Sequence, residues 1–120
     1  MKRLVASFRY AFAGLRYLWR TQPNARIHLA IAAAVFAVGL WVGLPARDWA
    51  LIAATAGLVF VAEALNSALE AVVDLASPDR HPVAQVAKDV GAGAVTLAAL
   101  AAVVVGFLVL GPPLWKRLFS

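Results

Sequence analysis

From Arg3 to Arg20, apolar and basic positions alternate at helical spacing. Leu4, Phe8, Ala11, Leu15 and Leu18 can share one side, while Arg3, Arg9, Arg16 and Arg20 spread over the rest. That pattern suits a helix lying in a membrane surface, its cations reaching the headgroups; a soluble helix packed on a partner would look similar. Pro23 ends the segment. Ile27 to Leu44 is almost wholly apolar, about eighteen residues, enough for a minimal crossing of a hydrocarbon layer about 30 Å thick. Gly43, Pro45, Arg47 and Asp48 predict a short polar turn. A second apolar run starts at Trp49 and stays uncharged to Ala62, and helical periodicity continues through Glu63 to about Leu75. A helix over 49–75 is about 40 Å long, so it crosses the bilayer and stands out into water at its far end. Ala76 to Gln85, containing Ser77, Pro78, Asp79, Arg80, His81 and Pro82, reads as a hydrophilic loop. Val90 to Leu110 supplies a third span, with Gly111-Pro112-Pro113 expected to stop it. The pattern predicts an all-α membrane protein over residues 1–120, a single domain. It has one N-terminal amphipathic surface helix (3–20) and three transmembrane helices (27–44, 49–75 and 90–110).

Composition narrows the function classes. Of 120 residues, 63% are hydrophobic and 14% charged, against about 45–50% and about 25% in soluble globular chains. A chain this short has too much surface to hide that excess from water. An ordinary soluble domain and a disordered tail are excluded. With no cysteine there is no disulfide framework, thiolate metal site or cysteine nucleophile. Arg9 and Arg16 interrupt the segment after Lys2 and Arg3, so no cleaved signal peptide is expected.

The net charge of +5 is unevenly placed. Lys2, Arg3, Arg9, Arg16, Arg20 and Arg26 precede the first span, and Arg80 and Lys88 lie between the second and third. Only Arg47 sits in the first loop, with Lys116 and Arg117 in the tail. The positive-inside bias predicts a cytoplasmic N-terminus and second loop, with the C-terminus outside. Trp19, Trp41, Trp49 and Trp115 all fall near the predicted membrane boundaries, where indole prefers to sit.

The chemically informative stretch is Glu63-Ala-Leu-Asn66-Ser67-Ala-Leu-Glu70-Ala-Val-Val-Asp74. Glu63, Asn66, Glu70 and Asp74 share one helical face, with Ser67 beside them. Glu63 lies about 21 Å along the helix from Trp49, at a depth where an acidic group costs about 2.5–3.5 kcal/mol. Such a group normally faces protein or a wet pocket. Asn24, Arg26 and His28 at the foot of the first span, and Lys88 and Asp89 at the foot of the third, complete a polar pocket at the same surface. Within it, two carboxylates about 10 Å apart along the helix can divide proton acceptance from binding of a hard cation. Lys88 can hold phosphate. Taken alone, His28 is an ordinary interfacial histidine, Asp74 and Asp79 can be a solvated face, and Gly91-Ala-Gly93 suits helix packing rather than phosphate binding.

The run EALNSALEAVVD, followed fifteen residues after its aspartate by Asp89 in AKD, resembles the small bacterial diacylglycerol kinase family, which includes undecaprenol kinases. Gly14-Leu15-Arg16, Trp19 and Asn24-x-Arg26-Ile27-His28 extend the likeness over most of the chain. The resemblance implies a homotrimeric, multi-pass kinase of the inner (cytoplasmic) membrane, phosphorylating a lipid alcohol with ATP and Mg²⁺. Its partners would be lipid, nucleotide and bilayer, and no nucleic acid. By the same likeness, Glu63 is the general base, and Glu70 holds Mg²⁺ with Asn66 orienting groups around it. Lys88 and Asp89 hold phosphates, while Arg3, Tyr10, Asp79, Arg80 and His81 lie where the family contacts nucleotide. Gln22 stands where the family usually has a second metal-binding glutamate, which implies weaker metal binding. The segment Asn24 to His28 looks more like the undecaprenol kinase branch. Two other readings remain: a small proton-coupled transporter using Glu63, and an inactive assembly factor, which only Gln22 recommends.

Overall fold

A computed structural model covering Met1–Ser120 contains four helices and no strand. They are α1 (Lys2–Thr21), α2 (Pro23–Val42), α3 (Ala46–Ala76) and α4 (Pro82–Phe119). Helices α2, α3 and α4 are long and apolar enough to cross a membrane. Only 11 of 120 residues are buried, while large side chains such as Leu40, Leu97 and Phe107 stand open. Those faces require lipid or protein as their solvent. The expected architecture of one surface helix and three spans is present.

Each connection has a local cause. Proline disfavours helical backbone in the residue before it, so Gln22 is extended (φ −114°, ψ 101°) between α1 and α2. Pro23 then opens α2 at its first turn, where its missing N–H costs nothing. The first span therefore begins four residues before Ile27. It ends at Gly43, whose left-handed φ of 73° suits a residue without Cβ. Helix α1 keeps its apolar stripe uncovered by the rest of the chain: Leu18 is buried, but Leu4, Phe8 and Leu15 are exposed. Packing of α1 as a soluble helix is not observed within this chain.

Two expected boundaries are corrected. The hydrophilic loop is shorter than 76–85, because Pro82 starts α4 and Gln85 is already helical. His81 caps the new helix, its Nδ1 accepting from the Val83 N–H at 3.1 Å. Second, Gly111-Pro112-Pro113 does not stop α4, which continues to Phe119. Gly111 offers no Cβ to clash with the Pro112 ring, and spanning helices tolerate proline where neighbours support them. Here Arg117 lies over the Trp41 ring of α2, and Trp115 stacks on Phe119. At about 1.5 Å per residue, the 38-residue α4 outruns the bilayer.

The most extensive interface joins α3 to α4. Small and β-branched residues make it possible: Gly91, Val95 and Ala98 of α4 are buried, as are Val59, Glu63 and Ser67 of α3. The N-termini of α2 and α4 and the C-terminal half of α3 thereby gather at one end of the bundle. The other end holds the Gly43 turn and the tail of α4.

Candidate active site

Glu63 is the one large side chain that is fully buried, with 2% of the residue exposed. A carboxylate in that position must be compensated by its neighbours. Its backbone carbonyl accepts from Ser67 Oγ at 2.8 Å. Across the α2–α3 contact, His28 Nε2 lies 3.1 Å from Glu63 Oε1. That is ion-pair distance without hydrogen-bond alignment, so Oε1 has no donor directed at it.

One turn further along α3, Asn66 Nδ2 donates to Glu70 Oε1 at 3.3 Å. Asn66 Oδ1 is buried with no partner. Gly91 of α4 makes its position possible, since a Cβ there would occupy the space of Asn66 Oδ1. Gly93 meets nothing, so helix packing accounts for only the first of the two glycines. Buried polar atoms left unpaired are rare and costly. This end of the bundle has two, both on the predicted polar stripe.

Around the foot of α4, Lys88 pairs with Asp74 of α3. Lys88 lies in the polar turns before the apolar run, and the Asp74 hydrogen bond holds its ammonium above the ordinary lysine range. It is a fixed cation at neutral pH. Asp89 points elsewhere: it is exposed and accepts from Gln85 Nε2 at 2.9 Å, an i,i+4 pair on its own helix. Asp74, Asp79, Arg80, His81 and Lys88 line a polar groove of about 610 Å³ beside the 77–81 loop. An apolar groove of about 560 Å³ runs between α3 and α4, with Asn66 as its polar contribution.

Other candidates lie apart. Arg3 and Tyr10 are exposed on α1 and line neither groove; Arg9 sits over the Tyr10 ring. Gln22 is the connector residue between α1 and α2, and its side chain makes no hydrogen bond. No three His, Asp or Glu side chains converge within this chain. Arg26, expected in the pocket, turns back to α1 instead. Its Nε and Nη2 donate to the carbonyls of Trp19 and Arg20 at 2.8 and 2.9 Å. A guanidinium satisfies the open carbonyls at a helix C-terminus, and here it ties the surface helix to the first span. His28 is placed in the polar pocket by sequence, but its pairing with Glu63 is missed. Its spacing gave no sign that it meets Glu63, because register between helices is a tertiary property.

The family model for prokaryotic diacylglycerol kinase matches residues 9–110. A diacylglycerol kinase of Synechocystis sp. is 49% identical over 112 residues, covering 92% of this chain but 64% of that protein. An undecaprenol kinase of Bacillus subtilis is 38% identical, with 95% of this chain and 93% of the relative covered. A diacylglycerol kinase of Escherichia coli is 31% identical over 85% and 84% respectively. The match spans both polar feet of the bundle and all of the stripe from Glu63 to Asp74. The chain belongs to the prokaryotic diacylglycerol kinase family and is thereby one of the membrane lipid kinases.

Proposed function

We propose that this chain transfers the γ-phosphoryl group of ATP to the primary hydroxyl of a membrane lipid, undecaprenol in preference to diacylglycerol. The observation that carries the reading is the buried Glu63 carboxylate with an uncommitted oxygen. An apolar groove and a polar groove lie at the same end of the bundle, Asn66 lining the first and Asp74 the second. A lipid tail suits the first groove and a nucleotide the second. The undecaprenol preference rests on the segment Asn24 to His28 and on the full-length likeness to an undecaprenol kinase.

Glu63 accepts the proton of the lipid hydroxyl as its oxygen attacks the γ-phosphorus, and ADP leaves. A positioned base of this kind contributes about 10²–10⁴-fold. Asn66 holds Glu70 in place through its amide. Lys88 leaves Asp74 for the phosphates; a pair this open to water breaks readily. Arg80 and His81 stand in the same groove for the nucleotide, and Asp79 borders it. Phosphoryl transfer needs positioning and charge neutralisation more than covalent help.

The donors fit Mg²⁺, which takes one or two carboxylates and completes its shell with water and phosphate oxygens. Glu70 would hold it, with the Gln22 amide oxygen as a weaker second ligand. When bound it neutralises charge between the nucleotide phosphates.

Arg3, Tyr10 and Asp89 have no role within the isolated chain. In a homotrimer a neighbouring subunit could present them, and such an assembly would cover apolar faces of α2–α4 that this chain leaves exposed. The excess of basic residues at the polar end supports an inner-membrane protein with that end cytoplasmic. A transporter is disfavoured, since the polar cluster sits at one end of the bundle rather than its middle.

Detergent-solubilised protein given ATP, Mg²⁺ and a panel of lipid alcohols is expected to release ADP and form undecaprenyl phosphate faster than phosphatidate. Failure to phosphorylate any lipid alcohol overturns the reading.

A further inference from the structure

We infer that His28 is the proton outlet of Glu63, returning the carboxyl to its working form after each turnover. The inference rests on the reading of Glu63 as proton acceptor. Its starting point is a problem that burial creates. Once Glu63 has taken a proton from the lipid hydroxyl it is a neutral acid, and that proton must leave before the next lipid can react. Glu63 has almost no contact with solvent: its side chain is 3% exposed.

The donors nearby on its own helix are committed, and the unpaired Asn66 Oδ1 is an amide oxygen that does not carry a proton onward. Ser67 Oγ donates to the Glu63 carbonyl and Asn66 Nδ2 donates to Glu70. Arg26, two residues before His28, is occupied by the carbonyls of Trp19 and Arg20. Among cationic and imidazole side chains, only His28 comes within ion-pair distance of the carboxyl. Its side chain is 22% exposed, so one edge of the ring is near Glu63 while part of it reaches the chain's surface at the polar end of the bundle. A neutral imidazole accepts at one ring nitrogen and donates at the other. The present 3.1 Å approach lacks alignment, as acid–base contacts commonly do before substrate binds, and a small rotation of the ring supplies it.

The proton balance is simple. The Glu63 carboxylate takes H⁺ from the lipid hydroxyl as the new O–P bond forms and the bond to ADP breaks. The Glu63 O–H then gives that proton to His28 Nε2, leaving carboxylate and imidazolium. The imidazolium loses H⁺ from Nδ1 to water, and proton exchange with water then moves the remaining proton from Nε2 to Nδ1, so that Nε2 can accept again. No oxidant, reductant or further reactant is consumed.

This role separates the first turnover from those that follow. In His28→Ala and in His28→Gln the carboxylate can act once but resets slowly. Rapid-quench measurement on full-length protein in mixed micelles, with diacylglycerol or a short polyprenol and ATP, is expected to show a burst of about one lipid phosphate per active site. Steady-state kcat should then be ~10–100-fold below wild type, with the KM for ATP and lipid within about twofold. Imidazole added to His28→Ala should restore the steady rate. Glutamine keeps a hydrogen bond but carries no proton, so wild-type turnover in His28→Gln overturns the relay, as does an unchanged kcat in His28→Ala. An equal loss in first and later turnovers also overturns it. Glu63→Gln keeps the two readings apart. If it is inactive while His28→Ala is unimpaired, the relay fails and the base stands; if it is active, the base reading itself fails.

Discussion

The two ends of the α2–α4 bundle are built from opposite materials. At the turn end, Gly39 admits the Trp49 indole, Phe36 packs against that ring in a tilted arrangement at 5.3 Å, and Arg117 lies over Trp41. These contacts use apolar surface and π-faces, and they leave no buried polar atom unpaired. At the polar end, Glu63 and Asn66 each keep a buried oxygen without a donor. Packing there is less favourable than it would be with apolar residues of the same shape. The difference teaches where the bundle keeps its stability and where it gives some up for chemistry. Substitutions at one end should change folding, and substitutions at the other should change turnover.

The largest effect is expected at Glu63. Glu63→Gln keeps shape and removes the basic oxygen, so lipid phosphorylation should fall by about 10²–10⁴-fold. Thermal stability should hold or rise, because a neutral amide costs less to bury than a carboxylate. Activity and melting temperature measured on the same preparation check this. A parallel loss of both would erase the contrast between the ends.

Next comes the metal. Glu70→Gln should cut activity by about 10²-fold at fixed Mg²⁺, an effect of the size of one positioned electrostatic contact, and more Mg²⁺ should recover part of it. Gln22→Glu should act in the opposite sense and lower the Mg²⁺ concentration for half-maximal rate. Chelation should stop turnover in wild type and both variants without unfolding them. Titrating Mg²⁺ in the micelle assay reads all three.

The polar end also shows how far residue patterns reach. The stripe from Glu63 to Asp74 was legible because helical spacing alone puts those residues on one face, and the three spans because lipid demands long apolar runs. The shortened 77–81 loop was not. Pro82 is a loop signal until His81 is seen capping the turn it opens. Gly111-Pro112-Pro113 reads as a stop, yet α4 passes through it, and the tail is seated against α2 by Arg117 over Trp41. Arg26 and His28 lie two residues apart on α2, but one closes the end of α1 and the other meets Glu63. Which side of α2 faces which helix depends on packing, and spacing within α2 carries no record of it. Arg3, Tyr10 and Asp89 line neither groove, because their positions on α1 and α4 are exposed.

A smaller effect, on stability alone, is expected at the turn end. In Gly39→Ala the new Cβ would lie 2.6 Å from the Trp49 ring and 3.0 Å from Leu44. The indole is held by Phe36, so it yields little. Overpacking of this kind costs about 1–3 kcal/mol. Denaturation in mixed micelles should report that loss, while kcat of the folded fraction should be unchanged.

Gly91→Ala makes the closest comparison, because the same substitution is moved to the polar end of the same interface. Its Cβ would overlap the end of a flexible side chain, Asn66 Oδ1, with Leu69 at 3.0 Å. Asn66 can rotate away, so the stability cost should be smaller than at Gly39, under about 1 kcal/mol. Rotation would break the Asn66–Glu70 hydrogen bond, which holds the carboxylate proposed for the metal. Activity should therefore fall several-fold, mainly as a higher Mg²⁺ requirement, while the fold persists. Pairing it with Asn66→Ala tests the route: if Asn66 carries the effect, adding Gly91→Ala to Asn66→Ala should lower activity no further. Additive losses would mean that the glycine acts through helix packing, and the two ends would then differ less than their atoms suggest.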